Sequence, residues 1–244
     1  MTLHHGGTMR AAARNPATRG TALAAALGRR IISGDIAPGA SVPTEAVLCT
    51  KFGVSRTTVR DAMKRLHGKG LVAGGPRSGM HVQPTRQWNQ LDADVLLWRL
   101  ESGADLALLD DLYEIRTCFE PRACELAASR GSAADHECIR AHFDGIAATD
   151  GDTARHIEAD LQFHLAIFGA TGNIFFNSLG SAIRTALLLS FRVTQDRLLM
   201  PSFEVKLHGD VCAAITARDG AAAAMAMRAL LAESRKTLGI ALQG

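Results

Sequence analysis

Apolar residues recur every three to four positions along most of the chain, which is the spacing of amphipathic helices. The first such helix starts near Thr21 and stops at Gly34, and a second runs from an N-cap at Thr44 to Lys51. A third starts after Ser55 and closes at residues 68–70. The inward stripes of the first and third helices are apolar: Leu23, Leu27, Ile31, Val59, Ala62, Met63 and Leu66.

Two short strands follow the third helix, at 71–73 and 80–82, joined by a glycine-rich turn over 74–79. Three helices followed by such a hairpin predict a winged helix-turn-helix DNA-binding domain over residues 20–86. Residues 1–19 lack periodicity, and we expect them to form a disordered tail. We expect residues 87–103 to form a linker with a short helix near 92–100.

Residues 104–244 show helical periodicity without strand-like alternation or internal repeats. The pattern predicts five or six amphipathic helices, with breaks near Gly131, Gly151, Gly172 and residues 218–220. The predicted fold class is therefore mostly α, with an N-terminal winged helix-turn-helix and a C-terminal all-helical bundle.

The charge of the chain is unevenly distributed. Residues 20–86 carry ten Lys and Arg against three Asp and Glu, whereas residues 87–244 carry fourteen against twenty-one. This asymmetry indicates that only the first domain binds a polyanion.

No apolar run approaches the roughly 18 residues of a membrane span, and the five scattered cysteines include no C-x-x-C pair. We therefore expect a cytoplasmic protein that contacts no membrane and keeps free thiols.

The third helix carries its basic residues on the face opposite the apolar stripe. Arginine suits guanine or phosphate, and the first turn of the second helix of a helix-turn-helix contacts base edges. Arg77, at the hairpin tip, is placed to reach an adjacent groove. The DNA-binding residues predicted in this way are Ser55, Arg56, Thr57, Thr58, Arg60 and Arg77.

Polar residues interrupt the apolar stripes of the second domain. Arg116 lies on the stripe of one helix with Leu109, Leu112, Phe119 and Ala123. Elsewhere Asp160 and His164 lie one turn apart, and His208 lies on a third helix. Buried polar groups require partners. Two interpretations stay open: a site for a divalent ion (Zn, Mn or Ni) with an arginine for a carboxylate, or a buried Asp–His hydrogen bond with a structural arginine.

The first domain resembles the GntR family of bacterial regulators. The resemblance is carried by PGASVPTE at 38–45, FGVSRTTVRDA at 52–62, GLV at 70–72 and SG at 78–79. Many relatives have arginine where this chain has Ala46. The resemblance implies that this arginine contacts DNA, and the alanine cannot make that contact.

The second domain is similar to the C-terminal ligand-binding (FCD) domain of the FadR subgroup. The matching segments are LYEIR at 112–116, EP at 120–121, FH at 163–164, GN at 172–173 and AI at 214–215, with Asp160, His208 and Asp219. In metal-binding members an Asp, a His one turn later and two further histidines hold a divalent ion, and the carboxylate of the effector completes the site. Asp160, His164 and His208 match three ligands, but Leu230 stands at the fourth position. We expect three protein ligands with open positions; weak or lost metal occupancy is the alternative.

The segment WNQLDADVLLW at 88–98 resembles that of the sugar-acid regulators in this subgroup. The resemblance implies a galactonate-type effector, with Arg116 on its carboxylate and Asn173 or Arg192 on its outer hydroxyls. We expect Trp88 and Trp98 to pack the linker against both domains.

The expected function is that of a homodimeric repressor of sugar-acid catabolism genes, which binds a pseudo-palindromic operator and releases it when a small carboxylate binds. One alternative is the same regulator with another hydroxy acid or an acyl-CoA as effector. The other is a metal-dependent enzyme with a DNA-binding head. Because the chain has no H-E-x-x-H-like arrangement and no nucleophile motif, we expect no enzymatic activity.

Overall fold

The computed structural model describes residues 16–75, 79–103, 106–149, 152–194 and 202–242. Its contacts divide the chain into two compact units, with the boundary between Gly103 and Ala104. No helix among these residues has the length and apolar character needed to cross a membrane.

The first unit is a winged helix-turn-helix, as the sequence predicted. Strands β1 and β2 are antiparallel, with Val72 opposite Val82 and Gly75 opposite Gly79. The elements in chain order are α1 (Pro16–Ile32), α2 (Glu45–Phe52), α3 (Arg56–Gly68), β1 (Val72–Gly75), β2 (Gly79–Val82), a 3-10 turn (Thr85–Gln87) and α4 (Ala93–Ser102).

Local signals set the turn between α2 and α3. The Thr44 side chain accepts a hydrogen bond from the backbone N–H of Val47 and starts α2. Gly53 ends α2 with φ +62°, a left-handed conformation that suits a residue without Cβ. The Ser55 hydroxyl then accepts from the N–H of Thr58 and starts α3. These caps fix where the second helix of the motif begins.

Two boundary expectations differ from the structure. Helix α1 begins at Pro16, so residues 16–19 extend it instead of belonging to a disordered tail, because proline suits the first position of a helix. Residues 1–15 lie outside the described part. The second difference concerns the expected linker, which packs against the first unit. Helix α4 contacts α1, and Trp88 and Trp98 belong to the hydrophobic core of that unit. The indole of Trp98 lies against Gly28, where a Cβ would come within 2.2 Å of the ring.

The second unit is all-helical, as predicted, with seven helices among the described residues. The additional element is the five-residue α8, which is too short to show a periodic pattern. The helices are α5 (Leu106–Arg130), α6 (Ala133–Ala147), α7 (Thr153–Ala170), α8 (Ile174–Ser178), α9 (Gly180–Thr194), α10 (Ser202–Thr216) and α11 (Gly220–Leu242).

Helix α5 contacts α7, α9, α10 and α11. Its inward face differs in one respect from the predicted stripe: Phe119 is 37% exposed, whereas Glu120 is 1% exposed. A buried carboxylate therefore faces the interior of the bundle, next to the polar residues of α7 and α10.

Candidate functional site

Two histidines and an aspartate meet in the interior of the second unit. Asp160 and His164 come from α7 and His208 from α10. All three are buried, and one ligand-type atom from each lies within 4.8 Å of the others. The Nε2 atom of His208 is 2.7 Å from Oδ1 of Asp160, and Nε2 of His164 is 3.6 Å from the same oxygen. The two imidazoles therefore converge on one carboxylate oxygen.

The hydrogen bonds of His208 determine which of its nitrogens carries a proton. Its Nδ1 atom lies 2.8 Å from the main-chain oxygen of Glu204. A carbonyl oxygen only accepts, so Nδ1–H donates. In the neutral ring Nε2 then presents a lone pair to Asp160, which also only accepts. A metal ion bound to Nε2 and to Oδ1 of Asp160 would let these two acceptors, 2.7 Å apart, both use their lone pairs.

Glu120 of α5 contacts the opposite nitrogen of His164. Its Oε2 atom lies 2.6 Å from Nδ1 of His164, and its Oε1 atom accepts from Nε of Arg116 at 2.5 Å. The guanidinium of Arg116 also lies 5.1 Å from the ring centroid of Tyr113. The structure thus brings Arg116 to the same cluster as Asp160 and His164, as the helical stripes predicted.

The carboxylates of the cluster are ionised despite their burial. Burial raises the pKa of Glu120, but Arg116 and His164 lower it, to about 2. Burial likewise opposes ionisation of Asp160, but hydrogen bonds from His164 and His208 hold its pKa well below the usual range. Two carboxylates beside the single guanidinium of Arg116 leave one negative charge in excess. A cation held by the imidazoles offsets this excess.

The donor set fits a divalent metal ion. One carboxylate and two imidazoles suit Zn, Mn or Ni. Each histidine also directs its other nitrogen at a protein oxygen, on Glu120 or on the main chain of Glu204. Metal-binding histidines are usually held by such a partner.

The predicted DNA-contacting residues lie at the start of α3. Ser55 caps the helix, and Arg56, Thr57 and Arg60 are exposed. Nε of Arg60 donates to Oε1 of Glu45 on α2 at 2.9 Å, so this arginine is held by the preceding helix. Arg77 lies outside the described residues.

Thr58 does not join this surface. It is 5% exposed, and its Oγ1 lies 3.0 Å from Oγ of Ser55. Its place in the predicted DNA-binding set is corrected, because residue 58 shares the inward face of α3 with Val59 and Ala62.

Lys64 and His67 extend the exposed face of α3 beyond Arg60, and sequence reasoning missed both. All three line a groove of about 780 Å³ between α3, the start of α2 and the base of the hairpin. Their spacing of three to four residues was the signal that could have found them. The positive charges of Arg60 and Lys64 along such a groove suit a phosphate backbone.

Two family models match the chain. Residues 20–82 match the description "Bacterial regulatory proteins, gntR family", and residues 111–233 match the FCD domain. An uncharacterized HTH-type transcriptional regulator, YieP of Escherichia coli K12, is 35% identical over 86% of this chain and 90% of its own length. The chain belongs to the GntR family. It is a DNA-binding transcriptional regulator with an FCD domain.

Other GntR regulators match over most of their length. The galactonate operon transcriptional repressor of E. coli K12 is 33% identical over 87% of this chain and 93% of its own. A solved structure of a GntR protein from Streptococcus agalactiae covers 89% of this chain and 99% of its own, with 25% identity and a TM-score of 0.50. These matches confirm the two-part fold predicted for the chain.

One further residue concerns the metal ligands, since Leu230 stands where the resemblance to metal-binding FCD domains implies a fourth ligand. Leu230 is 1% exposed and belongs to the hydrophobic core of the domain. The candidate ligands that the structure brings together are therefore Asp160, His164 and His208.

The other two residues predicted for the effector site are Asn173 and Arg192. The Oδ1 atom of Asn173 accepts from the N–H of Phe175 at 3.0 Å and caps α8, a structural role that sequence reasoning did not give it. Arg192 belongs to α9, but its side chain lies outside the described part. The effector contacts of both residues stay predictions.

Sequence reasoning also missed two polar residues near the cluster. His156 lies one turn before Asp160 on α7 and is 3% exposed; burial lowers its pKa. Burial and the nearby Asp160 raise the pKa of Glu204. The i, i+4, i+8 spacing of residues 156, 160 and 164 was the available signal for His156.

Proposed function

We propose that this GntR regulator is a repressor that binds a small hydroxy carboxylate of the galactonate type beside a divalent ion. The observation that carries the proposal is the convergence of His164 and His208 on Oδ1 of Asp160, next to the buried Arg116. The 33% identity with the galactonate operon transcriptional repressor supports the effector class.

Asp160, His164 and His208 would hold the ion. Bound there, it would offer coordination positions to the carboxylate and α-hydroxyl of a sugar acid, since Leu230 supplies no ligand. Arg116 lies on the same side of α5 as Glu120 and contributes a buried positive charge. A guanidinium has five N–H donors in a planar fork. The hydrogen bond to Glu120 uses the one on Nε. A carboxylate is the ligand that such a fork selects.

A homodimer is part of the proposal, because two winged heads match the two halves of a pseudo-palindromic operator. Exposed apolar side chains on the second unit support it. Ile174 and Phe175 on α8 are 73% and 74% exposed. Phe119 of α5 lies next to α8, with its ring 6.1 Å from that of Phe176. An apolar surface of this kind suits a second copy of the same domain.

Effector binding would release DNA by shifting the equilibrium from the arrangement of the two winged heads that binds the operator to one that does not. Such a shift is limited by the difference in effector affinity between the operator-binding state and the released state. The same coupling lowers effector affinity when operator is bound, because the linkage is reciprocal.

Thermal denaturation tests the effector class. The purified protein is heated with galactonate, gluconate and galactose, each with added Zn²⁺, Mn²⁺ or Ni²⁺ and again with EDTA. A sugar acid should raise the melting temperature only when metal is present, and galactose, which lacks the carboxylate, should not. If no sugar acid shifts the transition, the galactonate proposal is wrong. A shift by an acyl-CoA would assign the other effector class.

A further inference from the structure

We infer that Glu120 is a positioning residue for the metal site, which holds His164 in the one tautomer that presents Nε2 to the ion. The inference rests on the proposed metal site and names a residue outside its ligand set. Glu120 comes from α5, whereas the three ligands come from α7 and α10. It therefore ties a third helix to the site.

The contact between Glu120 and His164 defines the proton position. Oε2 of Glu120 lies 2.6 Å from Nδ1 of His164. The contact is bent, outside the usual angular range of a hydrogen bond, and neither atom has a hydrogen-bond partner elsewhere in the described part of the chain. A carboxylate oxygen only accepts. The approach is therefore favourable only when Nδ1 carries a proton, so that Nε2 is the nitrogen left to bind the ion.

The second oxygen of Glu120 explains why a carboxylate is tolerated in the core. Oε1 accepts from Nε of Arg116 at 2.5 Å, and both side chains are 2% exposed. The neighbouring positive charge stabilises the ionised form. Each oxygen of Glu120 thus has its own neighbour, the guanidinium on one side and the imidazole on the other. An amide at this position offers a single acceptor oxygen and no charge.

Glu120→Gln tests the role with little change in side-chain volume. We expect metal affinity, measured by titration calorimetry with Zn²⁺, to fall by about 10- to 100-fold, as for other residues that orient a ligating histidine. The matched control is Glu114→Gln, an exposed carboxylate on the same helix, which should leave the affinity unchanged. An affinity of folded Glu120→Gln within twofold of the parent overturns the inference and leaves the metal site standing. A parent protein that binds no metal overturns both.

A spectroscopic test on the parent protein covers the case in which Glu120→Gln does not fold. The protein is labelled with ¹⁵N-histidine and loaded with ¹¹³Cd. The ¹¹³Cd–¹⁵N coupling of His164 should appear on Nε2, while Nδ1 keeps its proton. Coupling to Nδ1 would show that the ion and Glu120 compete for the same nitrogen, and the inference would be wrong.

Discussion

The Nε2 atom of His208 on α10 lies 2.7 Å from Oδ1 of Asp160 on α7. The Nδ1 atom of the same ring lies 2.8 Å from the main-chain oxygen of Glu204, so each nitrogen of His208 faces a protein oxygen. The imidazole thus joins α10 to α7 in the core, where the proposed ion would bind both Nε2 and Oδ1.

Metal removal should lower the stability of the protein. A ligand at about 100 times its Kd stabilises the folded state by roughly 2.7 kcal/mol, which corresponds to roughly 5–10 °C in the melting temperature of a domain of this size. Differential scanning fluorimetry with and without EDTA measures the change. His208→Ala, which removes one ligand, should melt at the same temperature in both conditions. A parent protein unaffected by EDTA would contradict the prediction.

Metal binding should become tighter as the pH rises from 6 to 9. In the metal-free protein burial lowers the pKa of His164, but Glu120 and Asp160 raise it to about 9. The proton must leave before Nε2 binds an ion, so the apparent affinity should rise by up to about tenfold per pH unit and level off near pH 9. Calorimetry in buffers of different ionisation enthalpy should show one proton released per ion at pH 7. No proton release would contradict a ligating role for His164.

Arg56 should contribute to operator affinity, since it is exposed at the N-terminal end of α3. Arg56→Ala is expected to weaken operator binding by about 1–3 kcal/mol if the arginine contacts a base, as measured by fluorescence anisotropy at fixed salt. The matched control is Arg65→Ala on the same helix. Arg65 pairs with Asp61 at 3.0 Å and lines the cavity beside α1. Equal losses for both variants would indicate a general charge effect.

Thr57 and Thr58 are neighbours in sequence but should differ in the effect of replacement by valine. The Thr58 hydroxyl is buried against Ser55, so Thr58→Val should lower the free energy of unfolding by about 1 kcal/mol. Thr57 is exposed, and Thr57→Val should weaken operator binding while stability changes by less than about 0.5 kcal/mol. Urea denaturation and anisotropy measure the two quantities. The opposite pattern would mean that Thr58 faces the DNA.

A charge on α8 should disrupt the proposed homodimer. Phe175 is 74% exposed, and Phe175→Asp would place a carboxylate in an apolar interface, where an unpaired charge is costly. Light scattering coupled to size exclusion should show a monomer. Met225→Asp, on α11 and 68% exposed in the monomer, is the control and should stay dimeric. A dimeric Phe175→Asp would exclude α8 from the interface.

The sequence predicted the winged head well because short-range signals determine it. Thr44, Gly53 and Ser55 fix helix ends through contacts within four residues, and such contacts can be read from spacing alone. The stripe of α7 also predicted that Asp160 and His164 point inward together, since residues four apart share a helical face.

Helix α5 shows where sequence reasoning stopped. The predicted stripe placed Phe119 inward, but the structure buries Glu120 instead. The helix is only weakly amphipathic and contacts four neighbours, so its sequence has no single inward stripe. Its rotation is set by packing against those helices.

The sequence by itself therefore determined a winged helix-turn-helix followed by a helical bundle, the DNA-binding class and three candidate metal ligands, because caps, turns and helical periodicity are local. Only the tertiary structure decided that Glu120 contacts both Arg116 and His164, and that both imidazoles direct Nε2 at one oxygen of Asp160. These contacts join α5, α7 and α10. Their geometry depends on helix rotation and on the tautomers that neighbouring oxygens select, and neither property is encoded in residue spacing.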